Sequence, residues 1–575
     1  MSTTLLERPD HSPAFRLRRF VNWFPMGLTY AFLYMARYNL TVSKNALGEM
    51  MSKSDFGIIF AAGTFTYAFA FLINGPLTDR IGGKRAILIG SLGAAIANIA
   101  MGVIVYGLLM FEWSLNLPLV FSLLYACNMY FQSYGAVAIV KVNASWFHVR
   151  ERGVFGGIFG VLISLGLYFA FDWGEAIIDA TKASASDLSF IGTMLRSMLG
   201  ATHASIDQTW WIFFLPAFIL LFFFIIEIFI LRDRPGQAGY DDFETGDASA
   251  GEADTPFHLK TILVKILTNP ILLTIAFIEF CSGIMRNGIM HWYKIFSNDV
   301  GYLSSFIINT HWGLFLMIAG VTGGIFAGFI SDKIFGSRRG PVAALLYGVM
   351  LLSTIAMWPL VRSTTSQLSK GIEVQVSYAR IAKMSQFTDL SMESIDQLIA
   401  ESYHVTEKKQ MSSDSDSSMI FMVTKSKNSN MKLLATKIGS ITLGSYDRFN
   451  KYQQRDEHHE IKLKDVASIA GVPSDGVAYS LGFLVVFMSL CVIGVHGMLS
   501  GTATADFGGR KAAATAVGFI DGFVYLGTAV QSITLGFLTE KSWNYWPIFL
   551  IPFVILGLVL AIRIWHAFPN ASRKK

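Results

Sequence analysis

Charged residues are scarce in this chain, and their scarcity excludes an ordinary water-soluble protein. Only 15% of the 575 residues are charged, whereas 53% are hydrophobic and the mean hydropathy is +0.48. Soluble domains carry about 25% charged residues. The apolar residues form runs of about 20 residues, the length that a helix needs to cross a bilayer. The net charge of +6 comes from short loops between these runs rather than from one basic patch, so nucleic acid is not an expected partner.

Cysteine is also scarce, and the usual signatures of catalysis are missing. The three cysteines, Cys127, Cys281 and Cys491, each lie inside an apolar run and share no metal-site spacing, so we expect buried apolar side chains. The sequence has no Walker-type phosphate loop, no zinc-spaced His/Cys set and no Ser–His–Asp arrangement that spacing supports. We therefore predict a chain that is not an enzyme, has no cofactor or metal, and depends on solute gradients.

Twelve apolar runs are predicted to be membrane helices, in two halves of six. They are residues 20–42, 55–78, 86–110, 117–142, 153–173, 210–231, 268–292, 304–331, 340–361, 478–502, 512–537 and 544–566. The first run follows a polar segment without a cleavage signature, so it is expected to remain as a helix. The predicted fold is an all-α membrane protein with twelve transmembrane helices in two pseudo-symmetric halves and a small α+β extracytoplasmic insert.

Basic residues predict the orientation of the chain. If twelve spans are counted, clusters such as Arg80–Arg85 and Arg338–Arg339 all fall on one side of the membrane. That side is expected to be cytoplasmic, which puts both termini in the cytoplasm of a multi-pass inner-membrane protein. The predicted parts are a tail at 1–19, a six-helix half at 20–232, a linker at 233–267, helices at 268–361, an insert at 362–477, helices at 478–567 and a tail at 568–575.

The insert at 362–477 is polar but patterned. Ile372–Ile381 and Met419–Thr424 have the alternating or apolar pattern of strands. Ser391 precedes a predicted helix, Met392–Ser402, whose apolar residues share one face. Ser412–Ser418 is predicted to be a loop. These features favour a small α+β domain.

A short motif repeats at the ends of the second and eighth runs, which supports two related halves. The first copy contains Gly75, Asp79 and Arg80; the second contains Gly328, Asp332 and Lys333. The glycines are expected to permit close packing. The acidic residues are expected to pair with cations of neighbouring helices and to latch two bundles together.

This repeated motif resembles the loop signature of the major facilitator superfamily. Within it, four stretches are similar to the organophosphate:phosphate antiporters, which include glycerol-phosphate and hexose-phosphate transporters. The stretches are Tyr30–Leu40, Trp146–Gly153, Arg286–Trp292 and Val492–Gly527. The resemblance covers nearly the whole chain except 362–477. It implies a monomer that exchanges an organic phosphate for inorganic phosphate by alternating access.

Arg37 and Arg286 are the leading site candidates. Each lies within an apolar run, where a charge costs about 2.5–3.5 kcal/mol even on insertion scales. Each also lies at a similar distance before the repeated motif of its half, so two-fold pseudosymmetry would bring both to one central cavity. Two guanidiniums suit a phosphate dianion; the alternative is that each arginine snorkels or pairs with a carboxylate. The resemblance implies that both bind the substrate phosphate.

Other polar residues within the spans are further candidates. Tyr30 and Tyr34 share a helical face with Arg37, and Tyr67 matches a cavity tyrosine of the family. These tyrosines either contact substrate or only pack. Candidates for coupling or for lining the cavity are Glu279, His291 and Asp521, for which structural pairing is equally open. Lys141 is expected in a structural ion pair and His496 in packing.

Three departures from the antiporter pattern remove positive charge from the predicted cavity. Phe71 and Tyr38 stand where relatives have lysine, and Ile163 stands where they have histidine; His291 replaces an acidic residue. The substrate's organic part therefore stays open. The alternatives to the antiporter are a symporter of carboxylates or sugar acids and a transporter-like receptor for sugar phosphate.

Overall fold

The computed structural model describes residues 11–148, 152–183, 188, 190–243, 264, 267–300, 306–336, 338–388, 390–412, 417–424, 431–450, 454–472, 475–499 and 513–567. The predicted tails and linker therefore lie partly outside it. The chain divides into two compact units. The first, the helical unit, comprises Met1–Tyr293, His311–Ala356 and Leu484–Lys575; the second, the insert unit, comprises Lys294–Thr310 and Met357–Phe483.

Each of the twelve predicted spans coincides with a long helix. The helices are α1 Pro13–Leu47, α2 Lys53–Ile81, α3 Gly83–Met110, α4 Leu117–Trp146, α5 Arg152–Tyr168, α6 Trp211–Ile230, α7 Pro270–Val300, α8 Trp312–Phe329, α9 Arg339–Lys370, α10 Asp475–His496, α11 Ala513–Lys541 and α12 Tyr545–Arg563. The chain continues from α5 through a π-helical turn, Phe169–Trp173, into a helix that ends at Thr181.

Ten of these helices, within the described residues, are long and apolar enough to cross a membrane. The two others are α1 and α4, whose buried polar side chains reduce their hydropathy. Asn39 of α1 donates to Asn98 of α3 at 2.9 Å, and Asn98 donates to Asn128 of α4 at 3.2 Å. Because these amides bond to one another inside the protein, a polar sequence does not prevent the helices from lying among apolar neighbours. For α1 and α4, membrane crossing stays a prediction.

Glycine sets how closely the helices of the second half approach one another. A Cβ at Gly283 of α7 would collide with the backbone oxygen of Val524, and one at Gly527 of α11 would collide with that of Phe280. Helix α7 therefore packs backbone to backbone on α11, as small residues allow in membrane proteins. This contact places the middle of α7 beside the middle of α11, where the candidate site lies.

The insert unit contains two antiparallel sheets. The strands are β1 Ile372–Ser377, β2 His404–Ser412, β3 Ser417–Thr424, β4 Thr442–Asn450, β5 Arg455–Lys462 and β6 Ala467–Ala470, in the orders β2-β3-β1-β6 and β4-β5. In β1 the apolar residues Ile372, Val374 and Val376 are fully buried and alternate with partly exposed ones. The predicted small α+β insert is therefore confirmed.

The details of the insert differ in part from the prediction. The helix Met392–Ser402 and its N-cap, Ser391, are as predicted. The strand predicted to reach Ile381 ends at Ser377, because the Ser377 side chain accepts a hydrogen bond from the Arg380 amide and starts a helix, Tyr378–Met384. The predicted loop Ser412–Ser418 is wrong at its ends, since Ser412 closes β2 and Ser417 opens β3.

The insert's boundaries also shift. Helix α9 continues to Lys370 and α10 begins at Asp475, whereas the insert was expected to span 362–477. Strands β2, β4 and β5 escaped prediction because they are rich in charged and polar residues and lack the apolar alternation that marks a half-buried strand.

We predict that Gly283→Ala destabilises the helical unit, because the new Cβ would collide with the Val524 carbonyl oxygen. Overpacking of this kind costs about 1–3 kcal/mol. The thermal unfolding midpoint in detergent is the measurement. Gly348→Ala in α9 is the matched control, because a Cβ there meets no atom within 4 Å. Equal midpoints for the two variants would contradict the packing described above.

Candidate functional site

Arg37 lies at the centre of the helical unit and is completely buried. Its Nε donates to Gln132 Oε1 at 2.8 Å, one terminal nitrogen donates to the Tyr67 hydroxyl at 3.0 Å, and the other donates to the Tyr525 hydroxyl at 3.1 Å. The residues that hold this guanidinium come from α2, α4 and α11, and all of them are neutral. Among the described residues no carboxylate forms an ion pair with it.

Aromatic rings complete the surroundings of Arg37. Its guanidinium carbon lies 4.5 Å from the ring centre of Tyr67 and 4.9 Å from that of Tyr34. Tyr30 packs edge-on against Tyr34 with their ring centres 5.4 Å apart. The negative faces of these rings partly offset the buried positive charge. The three tyrosines predicted from the sequence are therefore placed around Arg37.

Arg286, on α7 of the second half, faces the same tyrosines. Tyr34, Tyr38 and Tyr525 interact electrostatically with both Arg286 and Arg37. Tyr525, whose hydroxyl accepts a hydrogen bond from Arg37 at 3.1 Å, is therefore a neighbour of both arginines. The Nε of Arg286 is buried and has no hydrogen-bond partner in the described part of the chain.

This arrangement places two positive charges, one fully buried at Arg37 and one partly buried at Arg286, where the described residues provide no ion-paired carboxylate. Burying a charge without a counter-charge is costly. Guanidiniums offer planar forks of donors that fit anions with several oxygens. The alternative of an arginine paired to a carboxylate is not observed within the described residues for either arginine. The site is therefore chemically equipped to bind an anion.

Sequence reasoning missed three members of this site. Gln132 and Tyr125 both lie on α4, and the Tyr125 hydroxyl donates to the Arg37 carbonyl at 3.1 Å. Tyr525 was noted only as part of a family-like stretch. A buried glutamine in a membrane helix was the available signal, but its partner lies 95 positions away in sequence.

His291 lies beside the arginines and joins the two halves. Its Nδ1 is 2.7 Å from the Thr41 hydroxyl of α1, while its Nε2 is buried without a hydrogen-bond partner in the described chain. Its ring centre lies 4.9 Å from that of Tyr38. Tyr38 and His291, two of the positions that differ from the family pattern, therefore contact each other through their aromatic rings.

Glu279 and His496 form a second polar cluster in the second half. The Glu279 carboxylate is completely buried, one of its oxygens lies 2.8 Å from His496 Nδ1, and the other has no hydrogen-bond partner among the described residues. His496 was expected to be a packing residue, and this expectation is wrong. Asp521 is half-buried and interacts electrostatically with Glu279.

The repeated motif behaves differently from expectation. Asp79 pairs with Lys141 of α4 at 2.7 Å, which confirms the ion pair predicted for Lys141, but this pair links two helices of the same half. A Cβ at Gly75 or Gly328 would meet no atom within 4 Å, so the expected close packing is absent there. Glycine is required instead at the neighbouring positions Gly82 and Gly83. Gly82 has a φ of +89°, and a Cβ at Gly83 would collide with the Val142 side chain.

The remaining motif residues show no latch between the halves. Arg80 and Lys333 are exposed, and the Asp332 side chain lies outside what the structure describes.

Two carboxylates join the halves at the opposite helix ends. Asp172, in the π-helical turn after α5, accepts hydrogen bonds from the Gly313 amide at 2.6 Å and the Leu314 amide at 3.3 Å. Glu540, at the end of α11, accepts from the Ser54 amide at 3.0 Å and hydroxyl at 2.8 Å. Each half thus places a carboxylate on the first turn of the other half's second helix, where the helix dipole favours negative charge. We call these contacts the two helix-end latches.

The described contacts between the halves lie at this end and around Arg37, which Tyr525 reaches from the second half. Gly57 of α2 lies against Ser532 of α11, and Gly320 of α8 lies against Ser164 of α5. Beyond Phe71, the described residues of α2 form no hydrogen bond or ring contact with the second half. The helical unit is therefore closed at the end where α2 and α8 begin.

Comparison with known proteins identifies the family. The profile of the Major Facilitator Superfamily matches residues 26–369, more than half of the chain. The chain is 24% identical over 380 residues to the glycerol-3-phosphate transporter of Bacillus subtilis, covering 61% of this chain and 74% of that protein. It is 25% identical over 345 residues to the membrane sensor protein UhpC of Escherichia coli, covering 58% and 69%.

A solved structure shares the fold. It is a bacterial homologue of the human lysosomal transporter Spinster, in an inward-facing and unoccupied conformation, with a TM-score of 0.58 and 13% identity over 96% of this chain and 98% of that one. At this identity the likeness concerns the fold alone. The profile and the fold agree with a multi-pass membrane protein of the predicted superfamily.

We predict that weakening both helix-end latches opens this end of the helical unit. Each favourable charge at a helix N-terminus contributes about 0.3–1 kcal/mol. In a background without native cysteines, Ser532→Cys, now 1% exposed, reports the opening through its rate of maleimide labelling. Asp172→Asn combined with Glu540→Gln should raise that rate several-fold.

Asp179→Asn is the control, because Asp179 pairs with nearby Lys182 of the same half, at 2.8 Å. An unchanged labelling rate in the double variant would show that the carboxylates do not hold this end closed.

Proposed function

The chain belongs to the Major Facilitator Superfamily, and on that premise we propose that it is a secondary active transporter that exchanges an organic phosphate for inorganic phosphate by alternating access. The observation that carries the proposal is the pair formed by the fully buried Arg37 and the partly buried Arg286, one from each half, which interact with the same three tyrosines and form no ion pair with a carboxylate among the described residues. A phosphate dianion matches the two positive charges of this pair.

The chemistry of the pair favours a phosphate over a carboxylate. A phosphate monoester carries a charge of about −1.5 to −2 at neutral pH and three acceptor oxygens. It can therefore neutralise both guanidiniums and accept hydrogen bonds from each. A single carboxylate would leave one buried charge uncompensated, which is the costly case. This argument disfavours the carboxylate symporter.

The relatives support the same substrate class. The Bacillus subtilis relative is named as a glycerol-3-phosphate transporter. The tyrosine hydroxyls around Arg37 are suited to hydrogen-bond either the phosphate or a polyol attached to it. Phe71, which stands beside Tyr67 with ring centres 4.7 Å apart, makes one wall of the site apolar. The organic part of the substrate is therefore expected to present both hydroxyls and carbon surface.

Transport follows from the way the halves are joined. The helix-end latches close one end of the helical unit, and towards the other end, beyond Phe71, the described residues of α2 form no hydrogen bond or ring contact with the second half. With the predicted orientation, this is a cytoplasm-facing state with both termini in the cytoplasm. An anion that binds between Arg37 and Arg286 would draw the two halves together around it, break the latches and open the site to the other side.

A receptor for a sugar phosphate is the second candidate. The relative UhpC is named as a membrane sensor protein, and the insert unit offers a separate folded sheet that a sensor would use for contact with a partner. The anion site would be the same in a receptor. Exchange in vesicles that contain only this protein, which is expected to act as a monomer, separates the two functions.

The proposal is tested by exchange in proteoliposomes loaded with labelled inorganic phosphate. Adding glycerol 3-phosphate or a hexose phosphate outside should release the label, whereas carboxylates should not. Arg37→Ala and Arg286→Ala should each reduce release to the level of empty liposomes, because one guanidinium cannot neutralise a dianion.

Arg18→Ala is the matched control. Arg18 also lies on α1, but it is half-buried and donates to the Ile230 carbonyl at 2.7 Å, away from the anion site, so exchange should be retained. If no organic phosphate releases label from folded wild-type protein, the antiporter is excluded. If a phosphate compound binds but is not exchanged, the receptor is favoured.

A further inference from the structure

The Glu279–His496 pair is not part of the anion site, by which we mean the site between Arg37 and Arg286. Its role is therefore not explained by anion binding alone. Glu279 is 0% exposed on α7, and its Oε1 atom has no hydrogen-bond partner in the described chain. Its other oxygen lies 2.8 Å from His496 Nδ1 on α10. The His496 side chain keeps 23% of its surface exposed whereas Glu279 is fully buried, so the imidazole is the exposed member of the pair.

The groups that face this carboxylate are mixed in charge. On its own helix, Cys281 and Arg286 interact with it electrostatically; Tyr347 does so from α9 and Asp521 from α11. Asp521 disfavours a second negative charge and therefore favours a proton on the pair, whereas Arg286 opposes one.

Arg286 connects this pair with the anion site. It is seven residues from Glu279 on α7, about two helical turns away on the same face. While the anion site is empty, the positive guanidinium favours the deprotonated carboxylate. A bound dianion cancels that positive charge, so the proton affinity of the pair rises.

We propose that the Glu279–His496 pair is a proton-binding site that fills when a phosphate anion binds between Arg37 and Arg286, so that each anion is carried with a proton. This inference rests on the proposed function. Linkage is reciprocal, so a proton on the pair strengthens anion binding by the same factor by which the anion strengthens proton binding. Lower pH therefore favours anion binding through this site.

The test measures proton uptake on ligand binding in detergent-solubilised protein. Glycerol 3-phosphate and, separately, inorganic phosphate are titrated at pH 8 in weakly buffered solution with a pH indicator, and binding is followed by calorimetry. At this pH a phosphate monoester is already dianionic, since its second pKa is about 6. The wild type should take up protons as it binds. Glu279→Gln and His496→Asn should bind the ligand but lose the uptake.

Glu227→Gln is the matched control, because Glu227 is also a fully buried membrane-helix carboxylate but accepts from Thr29 at 2.7 Å in the first half. It should retain proton uptake. Ligand binding without uptake in the wild type, or equal uptake in Glu279→Gln, overturns the proton site and leaves the proposed function standing. No binding of either ligand to the wild type overturns both.

Discussion

The constraint on which the rest of the site depends is the presence of two guanidinium charges, fully buried at Arg37 and partly buried at Arg286, that form no ion pair with a carboxylate among the described residues. Arg37 donates hydrogen bonds to Gln132, Tyr67 and Tyr525, which accept them and carry no charge. Neutral partners stabilise the folded protein without cancelling the field of the arginines, so the site keeps its affinity for an anion. Because Tyr525 reaches Arg37 from the opposite half, the state of the anion site is coupled to the way the halves meet.

Hydrogen bonds to uncharged groups also hold the halves together. In the helix-end latches, the carboxylates of Asp172 and Glu540 accept hydrogen bonds from backbone amides at the starts of helices. Contacts of this kind are worth only about 1 kcal/mol each, so they can hold a state closed and still be broken when a ligand binds. The pseudo-symmetric placement of the two latches also supports the origin of the halves from one repeated unit, which the sequence motif had indicated.

Local sequence patterns predicted the helices and the two arginines of the site. The side-chain partners of these arginines depend on contacts between residues far apart in sequence. Apolar runs located twelve helices, and the cost of a charge in such a run pointed to Arg37 and Arg286. The partners of these arginines escaped because Gln132 and Tyr525 resemble ordinary polar residues of membrane helices until the fold brings them together. His496 was judged alone and assigned to packing, whereas its role depends on Glu279, 217 positions away. For Gly75 and Gly328 the sequence predicted a contact that the structure does not show. The repeated motif predicted close helix packing at these glycines, but a Cβ at either position would meet no described atom within 4 Å.

The most direct test of the central claim is the affinity for inorganic phosphate after Gln132→Glu. A carboxylate at this position would lie within hydrogen-bonding distance of Arg37 Nε, where the glutamine oxygen is at 2.8 Å, and would supply the missing counter-charge. Calorimetry should show binding at least about tenfold weaker than in the wild type, a change of about 1.4 kcal/mol, while Gln132→Leu, which adds no charge, should retain most of the affinity. Wild-type affinity in Gln132→Glu would contradict the claim that the unpaired charge of Arg37 binds the anion.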